Sequence, residues 1–155
     1  PLEKIQSMIE SHKGQGAMTL KSVLESKDMY KQSDILYSAV VLDEGSREAL
    51  LSRVDDFIPD DWKVIAHHMT IAFGKPVPNQ EDLGKQVTLT VIELGLSDMA
   101  MAVRVDGYPS NNNIPHITIA INPDGGKPVM SNDITNWRKI KPFNIMGVVT
   151  EIKKG

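Results

Sequence analysis

Apolar positions along this chain recur with two different periods, and each change of period marks an element. Leu2, Ile5, Met8 and Ile9 fall at helical spacing over residues 2–11, and Leu20, Val23 and Leu24 predict a second short helix over 19–27. Residues 36–42 are almost unbroken apolar sequence and predict a first strand. Asp43-Glu44-Gly45 interrupts it, and Leu50, Leu51 and Val54 then form one face of a helix predicted over 46–57, with Ser46 as its N-cap. A strand is predicted over 64–73. The segment that follows, Gly74-Lys75-Pro76-Val77-Pro78-Asn79, reads as a loop because neither proline has the amide that a ladder needs. Further strands are predicted over 87–94, 99–105, 114–121 and 143–152, with a turn at Asn122-Pro123-Asp124-Gly125-Gly126 and a short helix over 131–137 capped by Ser131 or Asn132. Few helices among six strands predict an α+β fold with two lobes.

Composition narrows the picture. A chain of 155 residues is long enough for one core. Gly14 and Gly16 separate the first helix from the rest, so residues 1–17 are expected to be an accessory amino-terminal helix or linker from a longer chain, and residues 18–155 a single domain. The leading Pro1, in place of Met, fits a processed product or a piece of a larger protein. With no cysteine there is no disulfide, thiolate metal site or cysteine nucleophile, and a reducing cytoplasm is the expected compartment. A formal charge of −3 argues against a protein that coats long nucleic acid, a mode that neutralises many phosphates, but is compatible with a nucleotide or a single RNA end.

Two short strings recur inside the predicted strands, His68-Met69-Thr70-Ile71 and His116-Ile117-Thr118-Ile119. Strand side chains alternate faces, so a histidine and a threonine two residues apart share a face while Met69 or Ile117 packs behind them. Two such strands side by side present two imidazoles and two hydroxyls to one small space. In the hydrolysis of a phosphodiester, water attacks in line while the departing ester oxygen needs a proton. Histidines on opposite sides of the phosphorus meet both needs, each well-placed transfer contributing about 10² to 10⁴ in rate. An ordinary imidazole titrates near about 6.5, so both protonation states are accessible. His68 and His116 are thus the candidate base and acid, in either order, and the Thr70 and Thr118 hydroxyls the candidate donors to the non-bridging oxygens. His67, one residue off, should point to the opposite face from His68 and play a structural or surface role, and His12 should be solvated. No cofactor or metal is expected, since no carboxylate sits at a motif spacing.

The paired His-x-Thr strings resemble the signature of the 2H phosphoesterase superfamily over about residues 35–153. The segments Ala66-His67-His68-Met69-Thr70-Ile71 and Asn113-Ile114-Pro115-His116-Ile117-Thr118-Ile119-Ala120 look most like its RNA-repair and phage branches. The resemblance implies a bilobal fold in which two antiparallel-rich sheets face a central cleft with helices outside. It also implies a metal-independent phosphodiesterase acting on a 2′,3′-cyclic phosphate, with a nucleotide or an RNA 3′ end as partner, other domains of a longer RNA-processing chain alongside, and no membrane. Two other readings stand beside it: hydrolysis of 3′,5′-linked cyclic oligonucleotide immune signals, and an RNA-end-binding module without turnover.

Substrate contacts are expected from Tyr37, which lies on a strand that often lines the cleft in this superfamily and can stack a base or pack in the core. Lys75, just past the first motif, can reach a phosphate or stay solvated. Tyr108, Ser110 and Asn113 enter the second motif in a loop suited to sugar or base edges and equally to an ordinary turn. Ser131, Asn132, Trp137 and Lys127 follow the second motif and are candidates to close the pocket. Asp124-Gly125-Gly126-Lys127 lacks the spacing of a phosphate-binding loop.

Overall fold

The computed structural model describes residues 34–154. The two helices expected in the first 27 residues, and the boundary expected at residue 17, lie outside the described residues. The described elements are β1 (Ile35–Leu42), α1 (Glu44–Val54), β2 (Lys63–Val64), β3 (His68–Phe73), β4 (Gln86–Leu96), β5 (Ala100–Asp106), β6 (His116–Ile121) and β7 (Trp137–Lys153). No helix among these residues is long and apolar enough to cross a membrane.

Every strand pairing is antiparallel, in the order β2-β6-β3-β1-β7-β4-β5, and β5 pairs back onto β6. Six strands thereby close into a barrel, and β2 extends β6 at its far end. The antiparallel pairing agrees with the sequence reading. All strands share one sheet, and α1 is the one α-helix among the described residues. At 17 residues, β7 is long enough to pair with β4 from Trp137 to Val148 and with β1 from Gly147 to Lys153. The alternation predicts only its second half. Across from Val91 and Glu93, β7 bulges between Lys139 and Phe143, and the bulge holds Pro142, whose nitrogen has no proton for the ladder.

Inside the barrel, Val40, Met69, Ile71, Leu89, Val91, Val103, Ile117, Ile119 and Ile145 form one buried cluster, each side chain contributing about 1.5–3 kcal/mol when removed from water. The helix α1 adds Leu50 and Val54. At Gly147 the strands β1 and β7 approach so closely that a Cβ would sit 2.7 Å from Val40 Cγ1 and from the Val41 carbonyl oxygen.

Three local expectations are corrected. The N-cap of α1 is Asp43, whose carboxylate accepts from the Ser46 amide at 2.7 Å, while the Ser46 hydroxyl accepts from the Met146 amide at 2.8 Å and ties the helix to β7. The helix expected over 131–137 is a 3-10 stretch over Pro128–Asp133, begun by a proline already set at helical φ. The strand expected over 64–73 breaks at 65–67, where the buried Ala66 has φ 42° and the Arg47 guanidinium donates to the carbonyls of Ile65 and Ala66 at 3.2 and 3.0 Å.

Candidate active site

The two motif strands meet at one bridge, Met69 opposite Ile117. In antiparallel register this sets His68 across from Thr118 and Thr70 across from His116, so the two imidazoles occupy one diagonal and the two hydroxyls the other. Diagonal cross-strand neighbours lie about 7–8 Å apart, a gap on the scale of a phosphate group between two rings. Met69 and Ile117 point into the core. On the opposite face, His68, Thr70, His116 and Thr118 all line a cavity of about 540 Å³, together with Tyr37, Ile65, Phe73, Asn112, Pro128, Val129 and Asn132.

His116 donates its Nδ1 proton to the Ile114 carbonyl at 2.7 Å, since a carbonyl only accepts; the nitrogen left free is therefore Nε2. Burial lowers its pKa, against the opposing effect of that hydrogen bond. His68 is pushed down to about 4 from an ordinary 6.5, by burial first and then by the nearby His67 and His116. Its ring stacks on Tyr37 with centroids 4.7 Å apart and planes inclined by 21°. Burial raises the Tyr37 phenol, so this ring stays neutral against the imidazole. His67 is not on the opposite face as expected. Because β3 begins only at His68, the two rings come together with Nδ1 atoms 2.9 Å apart. The Thr118 hydroxyl is 2.8 Å from the hydroxyl of Ser131, a side chain with 1 % exposure.

The structure thus gathers the four motif residues, Tyr37 and Asn132 around one cavity. Of the remaining expected contacts, Ser131 reaches the site only through Thr118, and the others do not line the cavity. Lys75 is exposed beyond Gly74. Tyr108 donates to Asp82 Oδ2 at 2.6 Å, packs its ring on the core and has its phenol pushed up to about 12 by burial and that carboxylate. The Ser110 hydroxyl donates to the Thr70 carbonyl at 2.8 Å and accepts from the Asn112 amide at 3.1 Å, so it ties the loop to β3, and Asn112 reaches the cavity in place of Asn113. Trp137 donates to the Ile134 carbonyl at 3.1 Å and packs on Ile134.

Phe73 is the functional candidate that alternation hides. Spaced by two from Ile71, it should enter the core, but the register of β1 against β3 shifts between Ser38 and Ala39, leaving Ile71 as an extra residue. The bulge turns Phe73 outward, 77 % exposed at the cavity edge and paired with Tyr37.

Among the described residues, no three His, Cys, Asp or Glu side chains converge in a metal-holding group. What the cavity offers is a pair of imidazoles of low proton affinity, two hydroxyls and an aromatic edge. A family described as fungal tRNA ligase phosphodiesterase domain matches residues 57–151, a span that contains both motifs and leaves β1 and α1 upstream. No curated protein matches the chain.

Proposed function

The chain belongs to the fungal tRNA ligase phosphodiesterase domain family, a 2H phosphoesterase-type family, and we propose on that basis that it hydrolyses a 2′,3′-cyclic phosphate on a nucleotide or RNA end without a metal ion. The observation that carries this reading is the meeting of two His-x-Thr pairs across one strand junction in a single cavity.

Burial favours the neutral form of both imidazoles. An arriving phosphate anion raises both. His116 already supports its protonated form through the Ile114 carbonyl, so it takes up the proton and serves as the acid. His68, flanked by His67 and His116, stays neutral and serves as the base. Water attacks the phosphorus as His68 Nε2 takes one of its protons. The P–O bond to one ribose oxygen breaks, and that oxygen takes the proton from His116 Nε2. The products are a phosphomonoester and a free hydroxyl, and proton exchange with solvent resets both rings. Thr70 and Thr118 donate to the non-bridging oxygens, where charge grows in the transition state.

Incubation in EDTA with 2′,3′-cyclic mononucleotides, an oligoribonucleotide bearing a cyclic end and several cyclic dinucleotides tests the reading. Hydrolysis of the 2′,3′-cyclic compounds to monoesters in chelator is expected. Tight binding without turnover would identify an RNA-end-binding module instead, and cleavage of cyclic dinucleotides alone would move the substrate to 3′,5′-linked signals.

A further inference from the structure

Each motif imidazole has a partner on Nδ1, and the two partners differ in kind. His116 Nδ1 faces the Ile114 carbonyl, which only accepts. His68 Nδ1 faces His67 Nδ1 at 2.9 Å, a ring atom that accepts when bare and donates when protonated. The two rings meet edge to face, with centroids 5.1 Å apart and planes at 81°. Consecutive strand residues cannot make this contact. It arises because the chain leaves strand geometry at Ala66, with φ 42°, while Arg47 grips the carbonyls of Ile65 and Ala66 and the His67 carbonyl accepts from the Leu42 amide at 3.0 Å.

We propose that His67 is a positioning residue of the phosphodiesterase centre: it sets which nitrogen of His68 carries the proton, and so ties the base function of His68 to its own protonation. The inference rests on the reading of His68 as the base.

With His67 neutral in the tautomer that carries its proton on Nε2, its bare Nδ1 accepts the proton on His68 Nδ1. Nε2 of His68, the nitrogen that His67 leaves free, then holds a lone pair and takes a proton from the attacking water. The imidazolium so formed keeps its Nδ1 proton on His67, where the hydrogen bond becomes charge-assisted. With His67 protonated, its Nδ1 proton is donated to His68 instead. The one ring proton of neutral His68 must then sit on Nε2, and no lone pair is left for the water. The other groups facing the pair do not supply this switch. Tyr37 is held neutral by burial, Arg47 is a permanent cation, and His116 acts across the junction in the same way whatever stands at position 67.

Nitrogen-15 NMR of the imidazoles and pH profiles of the wild type, His67→Ala and His67→Asn test the proposal. An Asn amide oxygen accepts a hydrogen bond much as a bare Nδ1 does and does not titrate. In the wild type above neutrality, His68 should carry its proton on Nδ1; it should lose that preference in His67→Ala and regain it in His67→Asn. With a 2′,3′-cyclic mononucleotide, kcat should fall about 10- to 100-fold in His67→Ala, the scale on which a metal-bound histidine suffers when it loses its orienting partner, with KM within about threefold. Asn should restore most of kcat. The acid limb of kcat/KM should move to lower pH in both variants, because two rings offer the first proton more sites than one. An unchanged His68 tautomer with unchanged kcat and acid limb in His67→Ala overturns the proposal. A wild type that hydrolyses no cyclic phosphate overturns the underlying reading instead, and the tautomer measurement still decides the His67 contact without any turnover.

Discussion

Met69 and Ile117 face each other across the junction of β3 and β6, both without solvent exposure. This apolar pair sets the register in which His68 stands beside Thr118 and Thr70 beside His116, so the packed side of the junction determines what the open side presents. A slip of one residue in either strand would turn its His and Thr into the core and its apolar residues outward. Burial of Met69, Ile71, Ile117 and Ile119 therefore guards the chemistry as well as the fold.

Because the two imidazoles project from strands held by their opposite faces, their removal should spare the structure and abolish turnover. His68→Ala and His116→Ala are each expected to lower kcat on a 2′,3′-cyclic nucleotide by about 10² or more, the contribution of one well-placed acid or base. Circular dichroism should show the native sheet in both. A variant that keeps its activity would remove that histidine from the mechanism.

Both motif strands were legible because period-two alternation and the repeated His-x-Thr string point to the same face. What escaped depends on partners remote in sequence. Asp43 and Ser46 are both competent caps, and only the Met146 amide, 100 residues downstream, draws Ser46 away from that role. Nothing at Ala66 announces a positive φ, which costs a residue with a Cβ about 1–2 kcal/mol; the guanidinium that holds it comes from Arg47. That kink brought His67 to His68, against the expectation of opposed faces. Likewise, Phe73 faces outward through a register shift whose other half is on β1. The first half of β7 was missed because Lys139, Lys141 and Pro142 break the apolar alternation.

The depressed pKa of His68 has a signed consequence for stability. Its folded value, about 4, lies below the ordinary 6.5, so between these values the unfolded chain binds a proton that the folded chain refuses. Stability then rises with pH across this window: the penalty is absent above 6.5 and grows as pH falls toward 4. His116 acts in the same direction. Thermal unfolding should show a lower Tm at pH 5 than at pH 7, and a smaller drop in His68→Asn. Equal drops would mean that His68 titrates normally in the folded protein.

Arg47 should matter to stability and activity together. Its guanidinium makes two hydrogen bonds to the carbonyls of Ile65 and Ala66, and bonds from a charged donor contribute about 1.5–3 kcal/mol each when shielded. Arg47 is half-buried, so the Arg47→Ala loss in urea unfolding is expected at about 1–3 kcal/mol. Lysine has no planar fork to span both carbonyls, so Arg47→Lys should recover only part of it. The segment carrying His67 should relax as well, lowering kcat in both variants. Wild-type stability in Arg47→Ala would show that the kink holds without its clamp.

Ser131 is expected to act through Thr118. For the Thr118 hydroxyl to give its proton to a phosphate oxygen, the Ser131 hydroxyl 2.8 Å away must donate to Thr118 Oγ1. Ser131→Ala removes that donor from a buried position and should cost about 1 kcal/mol of stability and about three- to tenfold in kcat/KM. Thr118→Ala should cost more, and the double variant no more than Thr118→Ala alone, because the two hydroxyls work in series. Fully multiplicative losses in the cycle would separate them.

Phe73 offers a test of what the cavity holds beside the phosphate. A phenyl ring 77 % exposed on a strand is an apolar surface left in water, and it lies on the rim opened by the bulge, next to Tyr37. Val129, 66 % exposed, also lines the cavity. A nucleobase between such groups gains about 1–3 kcal/mol from stacking on an aromatic ring. That gain is the same in the ground state and the transition state, so Phe73→Ala should raise KM for a 2′,3′-cyclic nucleotide about 5- to 150-fold and leave kcat close to wild type. Phe73→Tyr should keep the wild-type KM. Stability should hardly change, since the ring buries little surface. A fall in kcat at constant KM would instead show that Phe73 shapes the motif strands rather than holding a base.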